Sequence, residues 1–169
     1  MPKDNSNELF YLVDDDDNAI GSVKRAEAHR SNSIKHRSIF ILLFNDRDEL
    51  LLQKRSQGKD TFPGFWTVST SGHVAYGQSY DEAARRELQE EIGLNLPLER
   101  LQKIYVKEER EFAFIYRGFF TDEVKINFDQ DEVSEVRWVA LEKLAEFIKE
   151  NDLTPSALTV LNLIHPEKK

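Results

Sequence analysis

Three glutamates at i, i+3 and i+4, namely Glu87, Glu90 and Glu91, follow a loop bounded by Gly72 and Gly77. Wound at about 100° per residue, they fall within an arc of roughly 100° that abuts the apolar stripe Ala84, Leu88 and Ile92, with Tyr80 at its margin. A glutamate-rich helix usually presents such charges to water, opposite its buried face. Here they crowd the apolar margin, where mutual repulsion and desolvation both act against ionisation. A hard divalent cation with oxygen ligands, Mg²⁺ or Mn²⁺, resolves that conflict. The glycine loop brings backbone close to the same helix face, so the Gly72 carbonyl is a candidate further ligand.

The helix that carries these residues has clear ends. Ser79 and Glu82 form a capping box, each satisfying an orphan N–H near the first turn. Gly93 supplies a left-handed stop and Leu94 an apolar residue to pack behind it. The spacing predicts a helix over residues 79–92.

Gly72, five residues, Gln78, seven residues, Arg86-Glu87-Leu88, Glu90-Glu91 and Gly93-Leu94 together resemble the Nudix box, spanning residues 72–94. One position departs, since Gln78 stands where the family usually has glutamate; that carboxylate mostly supports the arginine, so weakened metal chemistry is expected. The resemblance implies an α/β/α sandwich with a mixed central sheet, and extends at lower specificity over residues 9–165. Within the superfamily the chain is most similar to the isopentenyl-diphosphate isomerase-like branch. His29, His36 and His73 match that branch's histidine metal ligands in type and spacing, although histidines more often play structural roles, such as hydrogen-bonding loop backbone. Glu109 and Glu111 resemble the glutamates of the same site. Arg25, Arg55 and Lys59 resemble basic groups that hold diphosphate, for which guanidinium forks are well shaped.

The isomerase chemistry itself is depleted. Ser71 stands at the position of the branch's catalytic cysteine, and a hydroxyl is a far weaker acid than a thiol. Ser156 stands at the position of a tryptophan. The three glutamates, in contrast, complete a hydrolase box. The resemblance therefore implies a metal-dependent hydrolase that cleaves a diphosphate linked to another moiety, either a nucleoside diphosphate derivative or a related organic diphosphate. Glu87 or Glu90 would accept the proton of the attacking water, Arg86 would orient Glu87, and the ion would be held by Glu87, Glu90, Glu91 and Gly72. A later ligand could be Glu111 or Glu132. The alternatives are retained isomerase activity and a non-catalytic ligand binder, the latter supported only by Gln78.

The 169 residues suffice for one domain, expected over residues 9–169 after a disordered tail at 1–8. Net charge is −8, with no basic cluster of the kind that marks a nucleic-acid or membrane surface. An acidic chain that binds a phosphorylated small molecule must therefore gather basic residues locally. The chain has no cysteine, which excludes disulfides and thiolate chemistry and is consistent with a reducing cytoplasm. Neither a signal-peptide core nor a run of transmembrane length is expected.

Around the box, residues 9–13 and 19–23 suggest a hairpin whose Asp14–Asp17 loop is a solvated turn. Residues 39–44 and 50–52 are expected as two central strands joined by a polar turn, and 66–74 as a strand leading into the box. Further strands are expected at 101–107, 111–120 and 135–140. Helices are expected at 142–150 and 155–164, the last opening on Pro155.

Overall fold

A computed structural model describes residues 5–121, 123 and 125–164. Residues 1–4 of the expected tail and 165–169 of the expected domain lie outside the described residues. From Asn5 onward the chain is tied down: Glu8 N–H donates to the Asn5 carbonyl, and Ala26 N–H to that of Ser6. The free tail expected over residues 1–8 therefore does not reach Glu8.

The first hairpin forms as expected. Strands β1 (Leu9–Val13) and β2 (Ala19–Lys24) pair antiparallel. Its turn differs from the expected solvated one, because Asp17 is buried with a left-handed φ of 63°. There its carboxylate accepts from Arg37 Nε at 2.7 Å and from the Tyr80 hydroxyl at 2.9 Å, and pairs with Lys103. Three donors brought by three distant segments compensate the desolvation that a lone aspartate could not bear. A six-residue helix α1 (Arg25–Arg30), absent from the sequence expectations, follows at once. Phe10, Val23 and Ala28 close a small core beneath it.

The main sheet has seven strands. Strands β3 (His36–Phe44) and β4 (Glu49–Arg55) share only the Phe44–Leu50 pair before they diverge. The Ser69 hydroxyl stitches the divergence, accepting from Leu43 N–H at 2.8 Å and donating to the Leu51 carbonyl at 2.6 Å. The strand expected at 66–74 is split around that residue into β5 (Trp66–Thr67), paired with β4, and β6 (Thr70–His73), paired with β3.

Helix α2 (Tyr80–Glu87) begins at the Ser79–Glu82 capping box, with both reciprocal hydrogen bonds present. It runs into a π-helical turn, Leu88–Ile92, which stops at Gly93 with φ 74°. The span matches the helix expected over 79–92, but its last five residues wind more widely than α geometry. Strands β7 (Glu99–Val106) and β8 (Glu111–Phe119) pair antiparallel, and β8 runs parallel to β3 over nine residues from His36–Glu111 to Phe44–Phe119. Strand β9 (Val133–Ala140) pairs with the outer edge of β4. A 3₁₀ turn (Leu141–Lys143) leads into α3 (Leu144–Glu150), and α4 (Pro155–Ile164) ends the described chain.

Strand periodicity assigns the two faces. Ile39, Ile41 and Leu43 of β3 pack with Ala84, Leu88 and Ile92 on the α2 side. Phe40 and Leu42 pack with Leu144, Ala157 and Leu161 of α3 and α4 on the other. Each such fully buried leucine or isoleucine stabilises the fold by about 1.5–3 kcal/mol. The result is the expected α/β/α sandwich around a mixed sheet. No helix of the described residues is long and apolar enough to cross a membrane.

Candidate active site

Alternation along β6 gives the site two halves. Gly72 faces α2, whereas Ser71 and His73 share the opposite side. An ideal Cβ on Gly72 would lie 2.2 Å from the Glu87 carboxyl carbon, so any larger residue there would force the Glu87 side chain out of its present position. Both halves open into one cleft of about 940 Å³, whose wall includes Gly72, His73, Glu87, Glu90, Glu91 and Glu111.

On the α2 side, Glu87 and Glu91 turn inward. Burial, followed by the charge of Glu91, pushes the Glu87 carboxyl up to about 8 against the pull of Arg86. Burial raises Glu91 as well, although Thr70 and Gln53 donate to it, the latter at 2.7 Å. Glu90 is different: its side chain is 61% exposed and reaches the cleft from its rim. Arg86 gathers the group, contacting Glu87 at 2.9 Å and Glu90 at 3.4 Å while donating to the His73 carbonyl at 3.0 Å. Its Nε donates to Gln78 Oε1 at 3.3 Å, so Gln78 retains the arginine-supporting contact without the charge. Two buried carboxylates pushed toward protonation, all oxygen in donor type and beside a glycine strand, fit a hard divalent cation.

On the other side, the ligand atoms of His29, His36 and His73 lie within 4.8 Å of one another. Glu111 Oε1 is 3.0 Å from both His36 Nε2 and His73 Nε2. Phe10 stacks on His73 and His36, at centroid distances of 4.4 and 5.5 Å. Burial depresses His73 to about 4 and also lowers His29, which keeps these imidazoles neutral and able to ligate. Burial alone would raise Glu111, but hydrogen bonds from His36 and His73 hold it well below the ordinary carboxylate range. Imidazoles with a carboxylate suit a transition ion better than magnesium. Glu109, expected with Glu111, turns instead to Ser156; burial and the Glu111 charge push it up to about 7.

Position separates the two candidate later ligands. Glu132 lies on the glutamate side, where its charge acts on Glu91, and Glu111 belongs to the histidines. The three basic residues singled out from sequence all line the cleft. Arg25 contacts Asp60 at 3.6 Å and Glu8 at 3.9 Å, Arg55 donates to the Thr61 carbonyl at 3.0 and 2.8 Å, and Lys59 pairs with Glu132. Sequence reasoning missed Gln53, on another strand, and Thr70, two residues before the box, as donors to Glu91, because a single polar residue on a strand carries no signal of its partner. It also missed Arg110, a further basic residue of the wall.

A fold of this topology with a glutamate helix behind a glycine strand defines a class, and comparison agrees with it. The NUDIX domain model matches residues 34–161, and the chain belongs to the Nudix family. Its relatives place it in the isopentenyl-diphosphate isomerase-like branch. It is 37% identical over 148 residues to Isopentenyl-diphosphate Delta-isomerase 2 of Photorhabdus laumondii, covering 83% of this chain and 82% of that protein. It is 39% identical over 145 residues to a Prenyl-diphosphate phosphatase of Methanosarcina mazei, covering 83% and 84%. A crystal structure of a Deinococcus radiodurans protein shares the fold with a TM-score of 0.79, at 23% identity, covering 92% of this chain and 98% of that one.

Proposed function

We propose that the chain hydrolyses an organic diphosphate in a reaction dependent on Mg²⁺ or Mn²⁺. The observation that carries this reading is the pair of inward carboxylates, Glu87 and Glu91, the first packed so closely on Gly72 that a Cβ there would displace it. Glu87, Glu90, Glu91 and the Gly72 carbonyl would hold the ion, which supplies charge neutralisation for the diphosphate oxygens. Glu87 or Glu90 accepts the proton of the attacking water, and Arg86, in contact with both, keeps them oriented. Arg25, Arg55 and Lys59 exchange their present partners for phosphate oxygens, meeting the charge requirement of an acidic chain. The names of the phosphatase and hydrolase relatives support the same reading.

A second reading, isomerisation of a prenyl diphosphate, is favoured by the histidine cluster and by the isomerase-named relatives. Against it stands a chain without any thiol, with Ser71 at the critical position. Both readings are tested by one panel of nucleoside diphosphates, sugar nucleotides and prenyl diphosphates with Mg²⁺, products being resolved by mass. Phosphate or phosphomonoester release, with no conversion of isopentenyl diphosphate to its allylic isomer, is the expected result. Allylic product without hydrolysis would reverse the order of the two readings.

A further inference from the structure

Arg25, Arg55, Lys59 and Arg86 are each held by an acid or a carbonyl of the protein. Arg110 lines the same cleft and forms no ion pair among the described residues, and its buried Nε has no hydrogen-bond partner there. An arginine without a counter-ion, beside a cleft rich in glutamates, is an unspent anion-binding group.

Its backbone adds an independent observation. Arg110 ends the turn between β7 and β8 with a left-handed φ of 56°. Four non-glycine residues among those described have positive φ; Asp17 and Asp48 are of a type that tolerates it, whereas Phe62 and Arg110 are not. Both of the latter line the cleft. The turn itself uses only backbone atoms of residue 110, whose carbonyl accepts from His36 N–H at 3.2 Å and whose N–H donates to the Lys107 carbonyl at 3.3 Å, and glycine could do both without strain. A bulky cation kept in a conformation suited to glycine implies a use for its side chain.

We propose that Arg110 is a substrate-binding residue whose guanidinium donates to phosphoryl oxygens of the diphosphate. This rests on the cleft being a diphosphate site. The test is calorimetric titration of inorganic pyrophosphate with Mg²⁺ into wild type, Arg110→Lys and Arg110→Gly, with melting curves on the same samples. Arg110→Gly should weaken pyrophosphate binding about tenfold or more, the loss expected for a charge-assisted fork. It should also melt at or above the wild-type temperature, because glycine suits the turn; Arg110→Lys should bind with intermediate affinity. Unchanged affinity in Arg110→Gly, or no pyrophosphate binding by wild type, overturns the assignment. The hydrolase reading fails separately: a wild type that releases no phosphate from the organic diphosphates, yet loses pyrophosphate affinity in Arg110→Gly, removes hydrolysis and keeps the arginine's role. Persistent hydrolysis with equal affinity does the reverse.

Discussion

Glu87 and Glu111 have the same side chain, open on the same cleft and are nearly buried, at 13% and 5% exposure, yet they are driven in opposite directions. Glu111 receives hydrogen bonds from two imidazoles and stays ionised. Glu87 has one arginine on its flank and a second buried carboxylate beside it, and is pushed toward its protonated form. The histidine half of the cleft thus stabilises the Glu111 carboxylate from within the chain. The glutamate half does not do the same for Glu87, and under the proposed function a divalent cation would make good that deficit.

The largest effect should come from removing part of that deficit. Glu91→Gln is expected to lower metal-dependent phosphate release by about 10²–10³-fold, the scale of losing one electrostatic stabiliser. The metal-free variant should melt at or above the wild-type temperature, since a buried like charge has gone. Rate and melting temperature falling together would make Glu91 a structural residue instead.

An intermediate effect separates the halves by pH. Glu87 has its folded value raised from 4.5 to about 8, so stability present below pH 4.5 is lost as pH climbs through 8. Glu111 is lowered, so its contribution is present above 4.5 and lost as pH falls through its depressed value. His73, lowered from 6.5 to about 4, adds a loss between those two values. Melting curves in chelator should therefore show an alkaline decline, to which the raised Glu91 and Glu109 also contribute, that Glu87→Gln reduces and an acid decline that it leaves. Added Mg²⁺ should lift the alkaline limb far more than the acid one; equal shifts on both limbs would place the ion elsewhere.

The smallest effect concerns Gln78. Replacing its neutral contact to Arg86 by a charged one, in Gln78→Glu, should raise kcat/KM about two- to fivefold, in keeping with a partly exposed ion pair. Steady-state kinetics on the preferred diphosphate decides it, and an unchanged value would detach residue 78 from the arginine's work.

Much of this arrangement was legible because its signals are local. Ser79, Glu82 and Gly93 mark the helix ends, and the continuous apolar run over residues 39–44 marks a strand buried on both faces. What escaped depends on partners far along the chain. Asp17 reads as one of four solvated aspartates until Arg37, Tyr80 and Lys103 converge on it. Helix α1 has no side-chain cap to announce it, so the placement of His29 and Arg25 could not be read. The break between β5 and β6 follows from the Ser69 bridge to two other strands. The left-handed state of Arg110 is equally silent, because no residue type there advertises it.

The parallel ladder between β3 and β8 joins His36 to Glu111 across 75 positions of chain. Closing so long a loop must be accomplished before its contacts give any return. During synthesis the apolar row of β3 waits with that edge uncovered until β8 has left the ribosome, and the histidine half of the cleft cannot exist before then. A nascent chain stalled just short of β8 would carry the whole glutamate box and an open, sticky strand edge, a natural target for chaperones.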